Sequence, residues 1–270
     1  MLSASSQLTP QHLWLYCAAF IAGTLNAVAG GGSFVSFPAV LGLGVLPIPA
    51  NATNTVALWP GQLTSIAGYS DDLRVNRSLL VPVISASLAG GLAGAIILLH
   101  TAQGTFLKLV PWLLLVAALL FAASGPIAKR IAARSARRQA AHPDEAPHRD
   151  RLSFLPLWLG IAFVCIYIGY FGAGSGFLIM SVLAIFGIDN IRHINALKVV
   201  STTMANGIAV VTFIIGRQVI WRDCLVMMIV AAIGGYTGAR YSRKLNPAYM
   251  RIFIVLIGLG MSAYFFWKQS

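Results

Sequence analysis

Two glycine clusters, Gly30-Gly31-Gly32-Ser33 and Gly172-Ala173-Gly174-Ser175-Gly176, each stand immediately before a short apolar run. A helix that begins at such a cluster presents N–H groups without intrahelical partners and the positive end of its dipole, which together suit an anion. A polar run follows each cluster. Asn51, Thr53, Asn54 and Thr55 come after the first; Asn195, Lys198, Ser201, Thr202, Thr203 and Asn206 come after the second. At helical spacing Asn195, Lys198 and Thr202 share a face, and hydroxyl and amide groups there can hydrogen-bond an anion's oxygens. Lys198 adds a fixed positive charge where it faces a cavity, and loses that role where it snorkels to an interface. The candidate substrate-binding residues are therefore Gly31, Gly32, Ser33, Asn51, Thr53, Asn54, Gly174, Ser175, Asn195, Lys198, Ser201 and Thr202. Close helix packing by small residues, and hydrogen bonds between helices, are the alternative uses of the same set.

Other chemistries lack their residues. Neither glycine cluster leads into Gly-Lys-Ser/Thr, so neither is a P-loop, and no strand precedes them as a dinucleotide fingerprint requires. Cys17, Cys165 and Cys224 have no metal-ligand spacing, there is no HExxH, and His12, His100 and His193 fall near segment ends. No metal, cofactor or catalytic residue is expected, and the chain does not read as an enzyme. All seven acidic residues, Asp71, Asp72, Asp144, Glu145, Asp150, Asp189 and Asp223, fall between apolar segments, against a cation transporter or a carboxylate-based proton pump.

The elements that must position these residues are membrane helices. The chain is 58% hydrophobic and 10% charged, far from a soluble domain's composition. Its net charge of +12 sits in short gaps between apolar segments without interleaved aromatics, which marks topology and not nucleic-acid binding. No Lys or Arg precedes the first apolar run, so it reads as a retained helix in place of a signal peptide. Apolar segments are expected at roughly 11–29, 33–46, 51–70, 79–100 and 105–124, then 153–171, 175–187, 194–215, 224–239 and 248–267. The second of each set is too short for a ~30 Å core, so each set holds one short or re-entrant helix.

The two sets resemble each other. GGGS at 30–33 matches GAGS at 172–175, NAT at 51–53 matches NAL at 195–197, and GGLAG at 90–94 matches GGYTG at 234–238. The offset is 142 residues at the first match and 144 at the other two. Residues 1–124 and 153–270 thus read as repeats joined by a basic linker, 125–152, whose first part can prolong a helix. With every segment changing side, or with short segments returning as hairpins, 15 of the 19 Lys and Arg collect on one face and 4 on the other. The positive-inside rule then puts the linker in the cytoplasm and both termini outside, and an odd number of segments per half makes the repeats inverted. The expectation is an all-α polytopic transmembrane helical bundle of two inverted repeats in the cell inner membrane.

The stretches NAVAGGGSFVSFPAVLGLGVLPIPANATNT and GYFGAGSGFLIMSVLAIFGIDNIRHINALKVVSTTMAN, each with glycine turn, short helix and small polar run in that order, resemble the sulfite exporter TauE/SafE family. The resemblance covers nearly the whole chain. It implies a membrane transporter, and by its direction an exporter, of a small anion such as sulfite or an organosulfonate. The partners expected are that anion and the lipid bilayer, with no nucleic acid and with a homodimer left open. A passive anion channel is the alternative, and an integral membrane enzyme a weaker one.

Overall fold

A computed structural model describes residues 10–28, 31–66, 77–141, 154–174, 176–186, 188, 191–241 and 247–269. Among them the chain forms ten helices and no strand. The first half holds α1 (Pro10–Val28), α2 (Ser33–Gly42), α3 (Pro47–Ser65), α4 (Arg77–His100) and α5 (Gln103–Ala141). The second holds α6 (Phe154–Tyr170), α7 (Gly176–Ile185), α8 (Ile191–Ile215), α9 (Trp221–Tyr241) and α10 (Pro247–Gln269). The protein is an all-α membrane protein. Four stretches, Leu79–His100, Gln103–Ala123, His193–Ile215 and Ile252–Gln269, are long and apolar enough to cross a bilayer on their own.

The ten segments fall where the apolar runs place them, including the two short ones. α2 and α7 have ten residues each, about 15 Å at 1.5 Å per residue, half the thickness of a hydrocarbon core. The 39-residue α5 runs on past its apolar part to Ala141, so the first part of the linker is helical. Residues 142–152, the rest of the linker, lie outside the described residues, as does residue 153. Large side chains such as Phe163 and Trp267 point outward, 76% and 80% exposed, while alanines such as Ala18, Ala22 and Ala117 are buried. Alanines and glycines at the helix contacts, beside buried aromatics such as Phe34 and Phe121, with further large apolar side chains on the outer surface, suit a lipid solvent, where helices gain by close backbone approach.

Extensive packing joins helices of different halves. α1 packs on α9 and α6 on α4; α3 crosses α8, and α5 pairs with α10. Exchanging the halves maps each of these contacts onto itself or its counterpart, down to single atoms. A β-carbon at Gly90 would lie 2.2 Å from the Ala162 carbonyl oxygen, and one at Gly234 would lie 2.1 Å from that of Phe20. One at Gly94 would meet the Ile166 oxygen at 2.0 Å, and one at Gly238 would meet Thr24 Cα at 2.8 Å. The offsets relating these four pairs are the 142 and 144 of the sequence matches. GGLAG and GGYTG are therefore the surfaces on which α4 meets α6 and α9 meets α1, where only glycine permits the approach.

Contacts along each pair give helix directions. Leu107, Pro111 and Ala118 of α5 meet Gln269, Ser262 and Gly258 of α10 in reverse order. On α3, Thr53 meets Ile220 just beyond α8, and Gln62 meets Thr203 and Asn206. Equivalent helices of the two halves thus run antiparallel in both pairs.

Candidate functional site

The glycine turns of both halves converge on one face of α5. Gly31 (φ 90°) would bring a β-carbon within 3.4 Å of the Phe121 ring, and Gly174 (φ 70°) would bring one within 3.1 Å of the Ala117 carbonyl oxygen. Ala117 and Phe121 are one turn apart on the same side of that helix. The space between the turns is apolar: Phe34 and Phe177, from the first turns of α2 and α7, both pack edge-on against Phe121.

The polar candidates separate into groups around this centre. In the first half, Gly32 is helical (φ −55°, ψ −30°), and its N–H donates to Asn26 Oδ1 at 2.8 Å. A β-carbon at Gly32 would meet the Ala22 carbonyl oxygen at 2.3 Å, so α1 and α2 touch backbone to backbone. Ser33 opens α2 and is half-buried. One turn on, the Ser36 hydroxyl lies between the Gly32 carbonyl and the side-chain oxygen of Asn54, all buried. Asn51 donates its amide to the Tyr170 carbonyl (3.2 Å), capping the end of α6. Thr53 Oγ1 accepts the Ile220 N–H (3.0 Å) at the entry to α9.

In the second half, Lys198 Nζ donates to Asn195 Oδ1 at 3.1 Å, one turn earlier on α8. The Lys198 stem runs past the first residue of α7: its Cδ would be 3.4 Å from a β-carbon at Gly176. Its ammonium therefore stands near the positive end of a helix, and the one partner described for it is an uncharged amide oxygen. Ser175, the residue before Gly176, lies outside the described residues. Thr202 turns back to its own helix, donating to the carbonyls of Lys198 (2.9 Å) and Val199 (3.2 Å). Ser201 is enclosed between α4, α6 and α8, 2.7 Å from Ser87 Oγ and 3.5 Å from Cys165 Sγ.

The structure thus joins Gly32 to Asn54 through Ser36, and Asn195 to Lys198 beside Gly176. Asn51, Thr53, Ser201 and Thr202 each make bonds that tie helices together or close on their own helix. Asn54 and Lys198 are repeat equivalents, 144 residues apart, each facing the first turn of its own half's short helix.

Sequence reasoning missed the polar crossing of α3 and α8. Asn206 Nδ2 donates to Gln62 Oε1 at 2.9 Å, and Trp59 Nε1 donates to the Thr203 carbonyl at 3.0 Å. Gln62 with Asn206, and Trp59 with Thr203, are again 144 residues apart, so equivalent residues meet across the exchange axis. Carrying the 144 offset past Asn51 would have drawn attention to both pairs. Asn26 had one signal, an amide in an otherwise apolar helix six residues before Gly32.

A family model described as sulfite exporter TauE/SafE matches residues 15–265. The chain is 24% identical over 258 residues to a "Probable membrane transporter protein" of Haemophilus influenzae, covering 95% of this chain and 94% of the relative. It is 25% identical over 256 residues to "Probable membrane transporter protein ORF9" of a Sinorhizobium species, covering 92% and 90%. With "Probable membrane transporter protein YfcA" of Escherichia coli K12 it shares 25% identity over 252 residues, covering 92% and 87%. No solved structure matches it.

Proposed function

The chain belongs to the sulfite exporter TauE/SafE family of membrane transporters, and on that footing we propose that it carries a small anion, sulfite or an organosulfonate, outward across the inner membrane. The observation that carries the anionic reading is Lys198. An ammonium within an apolar helix ordinarily has a carboxylate partner or reaches water. Here its described partner is the neutral Asn195 amide, and the start of α7 adds further positive potential beside it. An anion between Lys198 and the first turn of α7 would satisfy both, with Asn195 supplying a further hydrogen-bonding group. Two inverted repeats, with the linker cytoplasmic and both termini outside, are the frame proposed around this site. The antiparallel course of α3 against α8 and of α5 against α10 supports that frame.

Lys198→Met against Lys198→Arg in proteoliposomes tests the reading. A charge-assisted hydrogen bond contributes about 1.5–3 kcal/mol, so losing it should weaken sulfite affinity roughly 10- to 150-fold, while the arginine variant keeps most of it. Wild-type sulfite flux by a well-folded Lys198→Met protein would refute the assignment.

A further inference from the structure

Asp223 is the one acidic side chain among the described residues, and it is not in a connecting segment as the sequence suggested. α9 begins at Trp221, which puts Asp223 in its first turn. The residue is 8% exposed, and its Oδ1 is buried without a hydrogen-bond partner. At 3.9 Å from that oxygen stands Nε2 of His12, in the first turn of α1. The gap is too long for a hydrogen bond and short enough for an ion pair once the imidazole carries a second proton. α1 and α9 are held together by backbone contact at Gly23, Gly234 and Gly238, so the two groups face each other across a close seam.

Repeat symmetry makes the pair conspicuous. By the 142 and 144 offsets, the equivalents of His12 and Asp223 are Phe154 and Leu79, both apolar. The seam of α4 and α6 therefore has apolar residues at these two positions.

Other titratable groups stand on the elements packed against the pair. α1 adds Tyr16, its ring 6.5 Å from that of His12. α9 adds the exposed Arg222 and the buried Cys224 thiol. α2 and α3 carry no ionisable side chain, and Tyr264 and Lys268, near the end of α10, are exposed and not paired with Asp223.

We infer that His12 and Asp223 form a proton-binding site that couples proton movement to transport. A hydronium ion from the aqueous phase transfers one proton to the imidazole and leaves as water; the resulting imidazolium pairs with the carboxylate. Histidine makes this exchange in the physiological pH range. The turn that holds Asp223 is tied to α3: Cys224 Sγ lies 3.8 Å from the Thr53 carbonyl oxygen, and the Ile220 N–H donates to Thr53 Oγ1. Asn54, next in the chain, is the residue that meets Ser36 of α2. A change in how α9 seats against α1 thus reaches the short helix of the first half through direct contacts.

The site itself stands on geometry; its coupling to anion flux rests on the transport reading above. Full-length protein labelled with ¹³C-histidine is titrated by NMR, and the resonance missing from His12→Gln identifies His12. The expected result is that Asp223→Asn alters the His12 resonance and its response to acidification, while Asp223→Glu keeps the wild-type behaviour. An unchanged titration in Asp223→Asn overturns the site. In proteoliposomes an imposed pH gradient should stimulate wild-type sulfite flux, and His12→Gln and Asp223→Asn should lose the stimulation but keep their flux at equal pH. Stimulation that survives in both variants overturns the coupling. If wild type moves no sulfite at all, the transport reading fails, and the titration still decides the proton site.

Discussion

Replacing Gly32 by alanine separates the two uses of a glycine-broken helix. The new methyl carbon would sit 2.3 Å from the Ala22 carbonyl oxygen and 2.9 Å from Asn26 Cγ, where about 3.4 Å is ordinary contact. Backbone cannot swing aside as a flexible side chain can, so α2 must retreat from α1 by about an ångström. Overpacking of this kind costs roughly 1–3 kcal/mol. The retreat also stretches the 2.8 Å bond from the Gly32 N–H to Asn26, a further loss of roughly 0.5–1.5 kcal/mol. Against this, Gly32 is already helical, and alanine returns up to about 1 kcal/mol of helix propensity. The net expectation is a destabilisation of roughly 0.5–4.5 kcal/mol. Gly42→Ala, at the far end of α2 with no neighbour within 4 Å, serves as the control and should be neutral or slightly stabilising. Differential scanning fluorimetry and sulfite calorimetry on the same detergent preparations give both readouts. Melting temperature and sulfite binding should fall together in Gly32→Ala. A melting temperature equal to that of the control would refute the packing argument, and lost binding with unchanged melting would return Gly32 to direct contact with the anion.

The repeat contacts make a paired prediction: Gly94→Ala and Gly238→Ala should both lower the melting temperature, whereas Gly260→Ala, with open space around it, should raise it slightly. Equal behaviour of all three would remove the close seams from the account. For topology, reporter fusions at Ala140 and at Ser270 should give opposite signals, the first cytoplasmic and the second outside; the same compartment for both would rule out the inverted arrangement.

Element positions were legible because membrane helices announce themselves by composition, and the two short ones by length against a fixed bilayer thickness. The repeat was legible because glycine tolerates no substitute where a β-carbon would stand 2 Å from a carbonyl, as at Gly90 and Gly234. The destination of each polar side chain was much less so. Asn51, Thr53 and Thr202 look alike in sequence, yet they cap another helix, receive a loop N–H, and bond back to their own helix. Those outcomes depend on crossing angles between segments more than a hundred residues apart, which no local pattern encodes. Asp223 shows the same limit at an element boundary: starting α9 three residues earlier than the apolar run suggested turns a loop carboxylate into a buried one.

What distinguishes the halves is therefore more telling than what they share. The shared features, glycine seams, short helices and crossed α3 and α8, build the frame and are accounted for by packing. Among the places that break the correspondence, three concern the groups discussed above. Lys198 stands where the first half has Asn54; Cys165, Ser87 and Ser201 stand where the equivalent contact has Gly23, Ala231 and Ala57; and His12 and Asp223 stand where the other seam has Phe154 and Leu79. Each replaces a neutral or apolar group by a polar or ionisable one, at a cost in desolvation that the other half shows the frame does not require. The Cys165–Ser87–Ser201 group satisfies itself internally and needs no ligand. The other two leave charge short of partners, an ammonium in one and a carboxylate oxygen in the other. On the proposed reading, a symmetrical frame that moves an anion must still hold that anion somewhere and draw its driving force from something, and these two departures supply the chemistry proposed for holding and for driving.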